Sequence, residues 1–424
     1  MIRFLLKGLF HDRSRSRLPI IVVAIGVMLA VFMNAYITGF MGDTIEMNAR
    51  FTHGHLKVMT RAYAENEGQV PNDLALTEVS ALKEELSGRF PELDWAARIQ
   101  FGGLVDVPDE FGETRSQGPA AGMGIDLLSP DSREAGRLNI QKSIVRGRIV
   151  QNAGEALLAE QFSRKLGVDP GDEVTLIGST MHGSMSMYNF RVAGTVSFGV
   201  EALDRGTIIV DIEDARNALD MYDAAGELIG LFETGFYDDE RALEIARAFN
   251  TPFEEDKDEY APVMKTLTQQ GSMGQLVKML DVWGIYIIAI FIVAMALVLW
   301  NAGLLGGLRR YGEFGVRLAM GEEKNHLYRT LIYESIFIGI AGAFIGTAIG
   351  LFFAALVQKY GINISGLMEG SAMMYPSAIR TRITTTDYYI GFIPGLFATI
   401  IGTMLAGIGI YRRKTSQLFK ELEA

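Results

Sequence analysis

The chain has 424 residues and a formal net charge of −11 at pH 7, and 49% of its residues are hydrophobic although 21% are charged. It contains no cysteine and only 5 histidines, which excludes disulfides and cysteine-based metal sites and disfavours a histidine-rich metal centre. The acidic balance disfavours nucleic acid as the main partner.

The first part of the chain is basic and then apolar. Residues 1–17 hold five Lys or Arg against one Asp, and residues 18–42 hold no charged residue. A spanning helix needs roughly 20 apolar residues, so we expect a first transmembrane helix over 18–42. The apolar run is too long for a typical signal peptide and is interpreted as a retained anchor. The basic residues before it predict a cytoplasmic, amphipathic N-terminus.

A long polar segment, 43–281, follows with 41 Asp and Glu against 22 Lys and Arg. Strand-like and helix-like runs alternate in it without long βαβ repeats, which predicts an α+β domain with small antiparallel sheets and two subdomains. The predicted strands are 55–59, 98–107, 173–177, 189–196 and 207–211. The predicted helices are 76–90, 156–166 and 239–249.

One segment of this domain, Ile177–Tyr188, is rich in methionine and lies between two predicted strands. It reads as a hairpin tip, and its methionines suit a finger that binds a periplasmic partner or a lipid-like substrate, since methionine adapts to irregular surfaces. Two alternatives are an ordinary hairpin that covers the domain's own core and a Met/His metal site. The candidate finger residues are Met181, His182, Met185, Met187 and Tyr188.

Three further uncharged blocks predict the second to fourth transmembrane helices at 282–308, 335–358 and 388–411. The connecting segment 309–334 carries five Lys or Arg and the tail 412–424 carries four, whereas 359–387 carries three. By the positive-inside rule, both termini and 309–334 are cytoplasmic, and 43–281 and 359–387 are periplasmic. The predicted fold is a membrane protein with four transmembrane helices and a large α+β extracytoplasmic domain inserted between the first and second.

Glycines recur at four-residue spacing in these blocks. Such spacing lets helix backbones approach closely and favours helix packing or dimerisation. Pro394 predicts a kink in the fourth helix. The candidate packing glycines are Gly342, Gly346 and Gly350 in the third helix and Gly303 and Gly307 in the second.

The connecting segment 309–334 is the most specific stretch. Its apolar residues fit a short amphipathic helix that Gly321 ends, which by itself is also typical of an interfacial helix. Together with the order of spans, the run Glu313–Gly321 followed by Tyr333 and Glu334 resembles the FtsX/MacB superfamily of ABC transporter permeases, the type VII or mechanotransmission class. Weaker matches in the outside domain, from Gly147 to Ala218, are most similar to the lipoprotein-releasing LolC/LolE branch.

The resemblance implies that the connecting segment contains the helix that couples the permease to a cytoplasmic ABC ATPase dimer. Its residues would be Glu313, Phe314, Gly315, Val316, Arg317, Leu318, Ala319, Met320 and Gly321. The chain has no G-x-x-x-x-G-K-[ST] phosphate loop, so we expect no enzymatic activity of its own, with ATP and Mg bound by the partner ATPase. A second permease copy or a paralogue would complete the complex.

The function that this resemblance implies is release of lipoproteins, or of another lipid-linked periplasmic substrate, from the bacterial inner membrane. Such a permease can pass its substrate to a periplasmic carrier. One alternative is a MacB-like efflux permease for small molecules or peptides. Another is an FtsX-like transmembrane regulator of a cell-wall hydrolase. The sequence leaves the substrate and the choice between homodimer and heterodimer open.

Overall fold

The computed structural model describes residues 13–199, 201–271, 273–308, 311–363 and 378–412. These residues fall into two compact units, which we describe separately. One unit contains the described residues of 13–43, 279–362 and 379–412, and the other contains the described residues of 44–278 together with 363 and 378. Their division into further subdomains stays a prediction.

The first unit consists of long apolar helices. Four elements among the described residues are long and apolar enough to cross a membrane, and they lie at Arg17–His53, Met273–Val298, Lys324–Tyr360 and Thr385–Ile408. Each corresponds to one of the four predicted blocks. The helices themselves are α1 (Arg13–Asn48, continued by a π-helix at Ala49–His53), α10 (Met273–Leu308), α11 (Tyr311–Ala319), α12 (Lys324–Tyr360) and α13 (Thr399–Arg412).

The fourth membrane segment is not a continuous α-helix. It begins with a 3₁₀ turn at Thr385–Tyr388, continues through a π-helix at Ile393–Ala398 and only then becomes α13. Pro394 lies in the π-helix, and proline cannot donate the backbone hydrogen bond that a regular helix needs. The predicted distortion at Pro394 therefore takes the form of a π-helical segment.

The second unit is built on strands. They are β1 (Leu56–Thr60), β2 (Leu93–Pro108), β3 (Thr114–Ile125), β4 (Ile144–Gly147), β5 (Glu155–Ala159), β6 (Glu173–Ser179), β7 (Met185–Val196), β8 (Thr207–Asp211), β9 (Glu227–Phe232) and β10 (Pro262–Thr266). Its helices are α2 (Arg61–Glu65), α3 (Val79–Arg89), α4 (Glu134–Arg137), α5 (Ile140–Ser143), α6 (Glu160–Leu166), α7 (Glu201–Asp204), α8 (Ile212–Leu219) and α9 (Asp239–Asn250). Two short strands, β11 (Ile362–Asn363) and β12 (Ala378–Ile379), pair with each other.

The ten strands β1 to β10 form one sheet in the order β10-β1-β9-β2-β3-β8-β5-β7-β4, and β6 pairs with both β2 and β7. Because β6 bridges β7 and β2, six of the strands close into a ring: β2, β3, β8, β5, β7 and β6. Val105, Leu157 and Phe190, which lie on three of these six strands, are fully buried. Of the other four strands, β9, β1 and β10 extend antiparallel from the first half of β2, and β4 pairs antiparallel with β7.

Two predictions about this sheet are wrong. The pairs β3–β8 and β5–β7 are parallel, so the strands form one mixed sheet and not small antiparallel ones. The predicted helix 156–166 begins only at Glu160, because Glu155–Ala159 is a strand between β8 and β7. This strand is buried along its whole length, and pairing on both edges overrides the helix propensity of its alanines and leucines.

Candidate functional site

The predicted ATPase-coupling segment forms helix α11, Tyr311–Ala319. Glu313 and Phe314 lie in this helix, but their side chains lie outside the described residues. Gly315 is buried, whereas Val316 is 40% exposed and Met320 is 76% exposed. The exposed apolar surface therefore lies on the Val316 and Met320 side. Of the other predicted residues, Arg317 and Leu318 are partly buried and Ala319 is exposed.

Gly321 ends this helix by a defined mechanism. Its φ is +92°, a left-handed conformation that favours glycine. The Gly321 N–H donates to the Leu318 carbonyl at 3.1 Å, and the Glu322 N–H donates to the Arg317 carbonyl at 3.1 Å. These two bonds form a Schellman motif, which satisfies the last carbonyls of a helix and turns the chain sharply. Helix α12 begins three residues after Gly321, at Lys324.

The predicted packing glycines of α12 face α1. A Cβ atom built on Gly342 would lie 2.6 Å from Val23 Cγ1, and one on Gly346 would lie 2.5 Å from the Ala24 carbonyl oxygen. One built on Gly350 would lie 3.0 Å from the Met28 carbonyl oxygen. The absence of side chains at these positions thus lets α12 lie directly against α1. Gly303 and Gly307 lie in α10, and their packing lies outside the described residues.

A buried polar cluster joins the first, third and fourth membrane segments, and sequence reasoning missed it. Asn34 Nδ2 donates to Asp387 Oδ1 at 2.8 Å. The other oxygen of Asp387 accepts from the N–H and the hydroxyl of Thr384, at 2.6 and 2.9 Å. Close by, the Thr381 hydroxyl donates to the Ala354 carbonyl at 2.6 Å. The capping-box pattern Thr384-x-x-Asp387 could have predicted the hydrogen bonds between Thr384 and Asp387 from sequence.

In the second unit, the predicted finger is the hairpin of β6 and β7. Ile177 lies opposite Met187 and Ser179 lies opposite Met185. Met185 is 70% exposed and Met187 is 63% exposed, and both project from the same side of β7. His182 is also exposed, at the tip. The structure thus leaves two of the three predicted methionines accessible to a partner.

The base and tip of this hairpin are held by α8. The Met181 N–H donates to the Leu219 carbonyl at 2.7 Å, and the Tyr188 hydroxyl donates to Asp214 Oδ1 at 3.3 Å. Burial, together with the charge of Asp214, raises the pKa of Tyr188, so the phenol stays a donor. Met181 packs partly buried against the core. Among the residues that the structure describes, no group of three His, Asp or Glu side chains could hold a metal ion.

A second cluster that sequence reasoning missed fixes the end of α1 into the sheet. The His55 ring is fully buried, and its Nδ1 accepts from the Phe232 N–H at 2.9 Å. That bond makes Nε2 the protonated nitrogen of the neutral ring, and Nε2 lies 2.8 Å from Glu46 Oε2. Glu46, near the end of α1, also accepts from Arg50 Nε at 2.9 Å.

Arg98 of β2 completes this attachment, which we call the α1–sheet joint. Its guanidinium donates to Glu134 Oε2 at 2.8 Å and to the carbonyls of Arg50 and Phe51 at 2.8 and 2.7 Å. Burial alone would raise the pKa of Glu134, but the charges of Arg98 and Arg137 outweigh it and hold that pKa below its usual value. The joint therefore contains a buried, ionised pair whose cation also caps the π-helical end of α1.

An apolar cluster lies beside the joint and contains the beginning of α10. It brings residues from the ends of two membrane helices into contact with β2 and β9. Its members are Ile45, Ala49, Ala96, Ile229, Leu231, Tyr237, Leu267, Met273, Leu276 and Val277. The ends of α1 and α10 are therefore both part of the unit that carries the sheet.

Two protein families match this chain. Residues 18–231, half of the chain, match the family described as MacB-like periplasmic core domain, and residues 285–415 match the FtsX-like permease C-terminal family. Among solved structures, the periplasmic region of MacB from Actinobacillus actinomycetemcomitans is similar at 10% identity and a TM-score of 0.36, over 53% of this chain and 92% of that chain. No curated protein matches the sequence. The chain belongs to the FtsX/MacB superfamily of type VII ABC transporter permeases.

Proposed function

We propose that this chain is the permease subunit of an ATP-driven complex that releases lipoproteins, or another lipid-linked periplasmic substrate, from the inner membrane. Permeases of this superfamily work with a cytoplasmic ABC ATPase. In the proposed orientation, the termini and α11 lie in the cytoplasm, and residues 44–278 lie in the periplasm, inserted between the first and second spans. ATP and Mg bind to the separate ATPase, and this chain transmits the motion.

The α1–sheet joint is the observation that carries the proposal. A permease that acts by mechanotransmission needs its membrane helices to be firmly attached to the periplasmic domain that they move. Arg98 makes three hydrogen bonds within this joint, two of them to the π-helical end of α1, and the ends of α1 and α10 pack on the same two strands. Displacement of either helix end therefore displaces β2 and β9.

At the opposite end of α10, the exposed side of α11 suits the ATPase. Val316 and Met320 are apolar and exposed on a helix that a Schellman motif ends sharply. Exposed apolar residues on a short helix are typical of a helix that inserts into a groove of a partner. Gly315 is buried and so contributes to packing within the chain, not to the partner surface.

The exposed methionines favour a lipid-linked substrate or its carrier. Met185 and Met187 present a flexible apolar surface on β7, and methionine-rich surfaces adapt to acyl chains and to varied partners. In the other unit, the membrane face of α10 exposes Trp283, Tyr286 and Ile290. A second permease copy or a paralogue would cover this face in a dimer. The substrate would be taken from the outer leaflet and would not cross the membrane.

Reconstitution tests the proposal. The chain and its ATPase are placed in nanodiscs with a bound triacylated lipoprotein, and release into solution is measured after ATP is added. We expect release with the native chain and loss of both ATPase binding and release with Met320→Asp. Val145→Asp is the control, because it places the same charge on an exposed apolar residue outside α11, and this variant should release lipoprotein normally.

The alternative functions give different results in the same system. ATP-driven accumulation of a dye or a small peptide without lipoprotein release would favour a MacB-like efflux permease. Activation of a peptidoglycan hydrolase without any release would favour an FtsX-like regulator. Normal ATPase binding by the Met320→Asp variant would contradict the role proposed for α11.

A further inference from the structure

Helix α10 packs against the rest of its unit along one narrow side. Three of its residues are partly buried against the apolar cluster around Val27, and these are Ile288, Ile292 and Ala296. Because they are four residues apart, they lie on one side of the helix. Only 6% of the apolar stretch of this span is buried. Within one copy of the chain, α10 is therefore held weakly along most of its length.

Further along the same side, α10 touches α13 through its backbone. Trp300 lies four residues after Ala296, and a Cβ atom built on Gly402 would lie 2.8 Å from the Trp300 carbonyl oxygen and 3.2 Å from its Cα. Gly402 is buried, so a larger residue there would push one helix away from the other. A glycine at such a position lets two membrane helices meet at their backbones. We call this place the α10–α13 contact.

The indole of Trp300 forms no directional bond at this contact. Its Nε1 is buried and has no acceptor among the residues that the structure describes. The Trp300 atoms closest to Gly402 are the carbonyl oxygen, Cα and Cδ1. Close contacts with these atoms are held by dispersion, which depends on distance and has little dependence on angle. The contact therefore fixes the separation of the two helices more strongly than the angle between them.

The α10–α13 contact divides α10 into a long arm and a short arm. Met273 lies 27 residues before Trp300, and Leu308 lies eight residues after it. At 1.5 Å per residue, the arms measure about 40 Å and about 12 Å. The long arm ends in the apolar cluster on β2 and β9, and the short arm leads to α11. Rotation of a rigid α10 about the contact moves the sheet end about three times as far as the α11 end.

We propose that α10 pivots about the α10–α13 contact, so that a small displacement of α11 becomes a larger, opposite displacement at β2 and β9. This inference rests on the proposed function, because an ATPase bound to α11 is the source of the displacement. A helix that moved along its own axis, or sideways as a whole, would be displaced equally at every position. The two kinds of motion therefore differ in how displacement varies along α10.

Distances between pairs of spin labels measure this variation. The chain has no cysteine, so each introduced cysteine is a unique site. Phe344→Cys, at an exposed position of α12, carries the reference label, and the second label is placed at Ile287→Cys or at Val298→Cys, both exposed on α10. These two positions are 11 residues apart and lie on the same side of the helix. They lie 13 and two residues from Trp300.

The full-length chain is studied in nanodiscs with its ATPase, before and after addition of ATP and vanadate and without lipoprotein. Labelled chain is mixed with an excess of unlabelled native chain, so that one copy in each complex carries labels. We expect the distance change at position 287 to be at least about threefold larger than at position 298. Equal changes at the two positions, or no change at either, would overturn the inference.

Two further readouts separate the pivot from the proposed function. In the chain without ATPase, the distribution of distances should already be broader at position 287 than at position 298, and equal widths would overturn the pivot even if the ATPase does not bind. Failure of the ATPase to bind would overturn the role proposed for α11. Failure to release a lipoprotein, measured separately, would overturn only the proposed substrate.

Variants locate the pivot. Gly402→Leu forces the two backbones apart at the contact, and it should bring the distance changes at positions 287 and 298 to within about 1.5-fold of each other. Ile401→Phe adds bulk at an exposed position of α13 and is the matched control, which should keep the threefold difference. An unchanged difference in Gly402→Leu would contradict the pivot. If this variant does not fold, the measurements on the native contact decide the inference.

Discussion

Replacing Arg98 with methionine is the sharpest test of the α1–sheet joint. Methionine keeps most of the volume and the apolar stem, so the cavity term is small. The change removes three donors, to Glu134 Oε2 at 2.8 Å, to the Phe51 carbonyl at 2.7 Å and to the Arg50 carbonyl at 2.8 Å. We therefore expect the main loss to be electrostatic and local to the end of α1.

The size of the destabilisation depends on Glu134, the buried carboxylate that loses its Arg98 partner. Removing one partner of a buried ion pair costs roughly 3–5 kcal/mol. Arg137 still pairs with Glu134 in the variant, which favours the lower end of that range, about 3 kcal/mol. At 1.36 kcal/mol per factor of ten, the local opening equilibrium should rise by about 100-fold.

Amide hydrogen exchange of the full-length chain in nanodiscs measures this directly. We expect faster exchange in residues 49–56 and 93–98, which form and surround the joint, and unchanged exchange in β6 and β7. Arg133→Met is the matched control, because Arg133 pairs with Asp94 at 3.3 Å on the exposed surface. Surface pairs contribute about 1 kcal/mol or less, so exchange should change by less than about fivefold.

Two outcomes would refute this reasoning. If Arg98→Met exchanges within about threefold of the native chain, the guanidinium does not hold the end of α1. If Arg133→Met accelerates exchange as much, the effect is not specific to the buried pair. Arg98→Lys should lie between native and methionine, since one ammonium cannot replace a planar guanidinium that serves three acceptors.

Three further predictions use thermal or detergent unfolding of the purified chain. Gly346→Leu should destabilise it by about 1–3 kcal/mol through overpacking against α1, whereas Gly88→Leu, at an exposed helical glycine where a built Cβ meets nothing within 4 Å, should not destabilise it. The hydrogen bonds from Arg148 lower the pKa of Glu155 to about 2, so its contribution to stability is present above about pH 4.5 and is lost as pH falls towards 2. The Glu155→Gln variant should be less stable at pH 7, and the difference should vanish near pH 2. Asn34→Ala removes a donor to a buried carboxylate and should cost about 1–3 kcal/mol.

The elements that sequence predicts well are those whose signals are local. The four uncharged blocks each correspond to a long apolar segment, the strand Thr207–Asp211 has the predicted bounds, and the helix at Asp239 extends one residue beyond them, to Asn250. Gly321 ends α11 because a left-handed glycine is a property of one position and its neighbours. In each case, composition and periodicity over a short window are enough.

The features that sequence misses depend on pairing between distant segments. Glu155–Ala159 reads as helix because alanine and leucine favour it, and only the neighbouring strands β7 and β8 make it a strand. The ring closes through three residue pairs between β2 and β6. Arg98 and His55 look like ordinary strand residues, and their partners Glu134 and Phe232 lie 36 and 177 residues away. No short window contains these relations.

The distribution of burial among the membrane segments bears on which of them moves. Within the 18-residue apolar stretch of each candidate span, 50%, 33% and 50% of the residues are buried in the first, third and fourth spans. In the second span, only 6% are buried. Within one copy of the chain, α10 is therefore less covered than α1 and α12, which lie together along the glycines of α12, and the face that α10 exposes is the one that a second permease copy would cover in the proposed dimer. Helix α10 also leads from the apolar cluster on β2 and β9 towards α11. For an ATPase that binds α11, as proposed above, we expect α10 to move and the α1–α12 pair to support it.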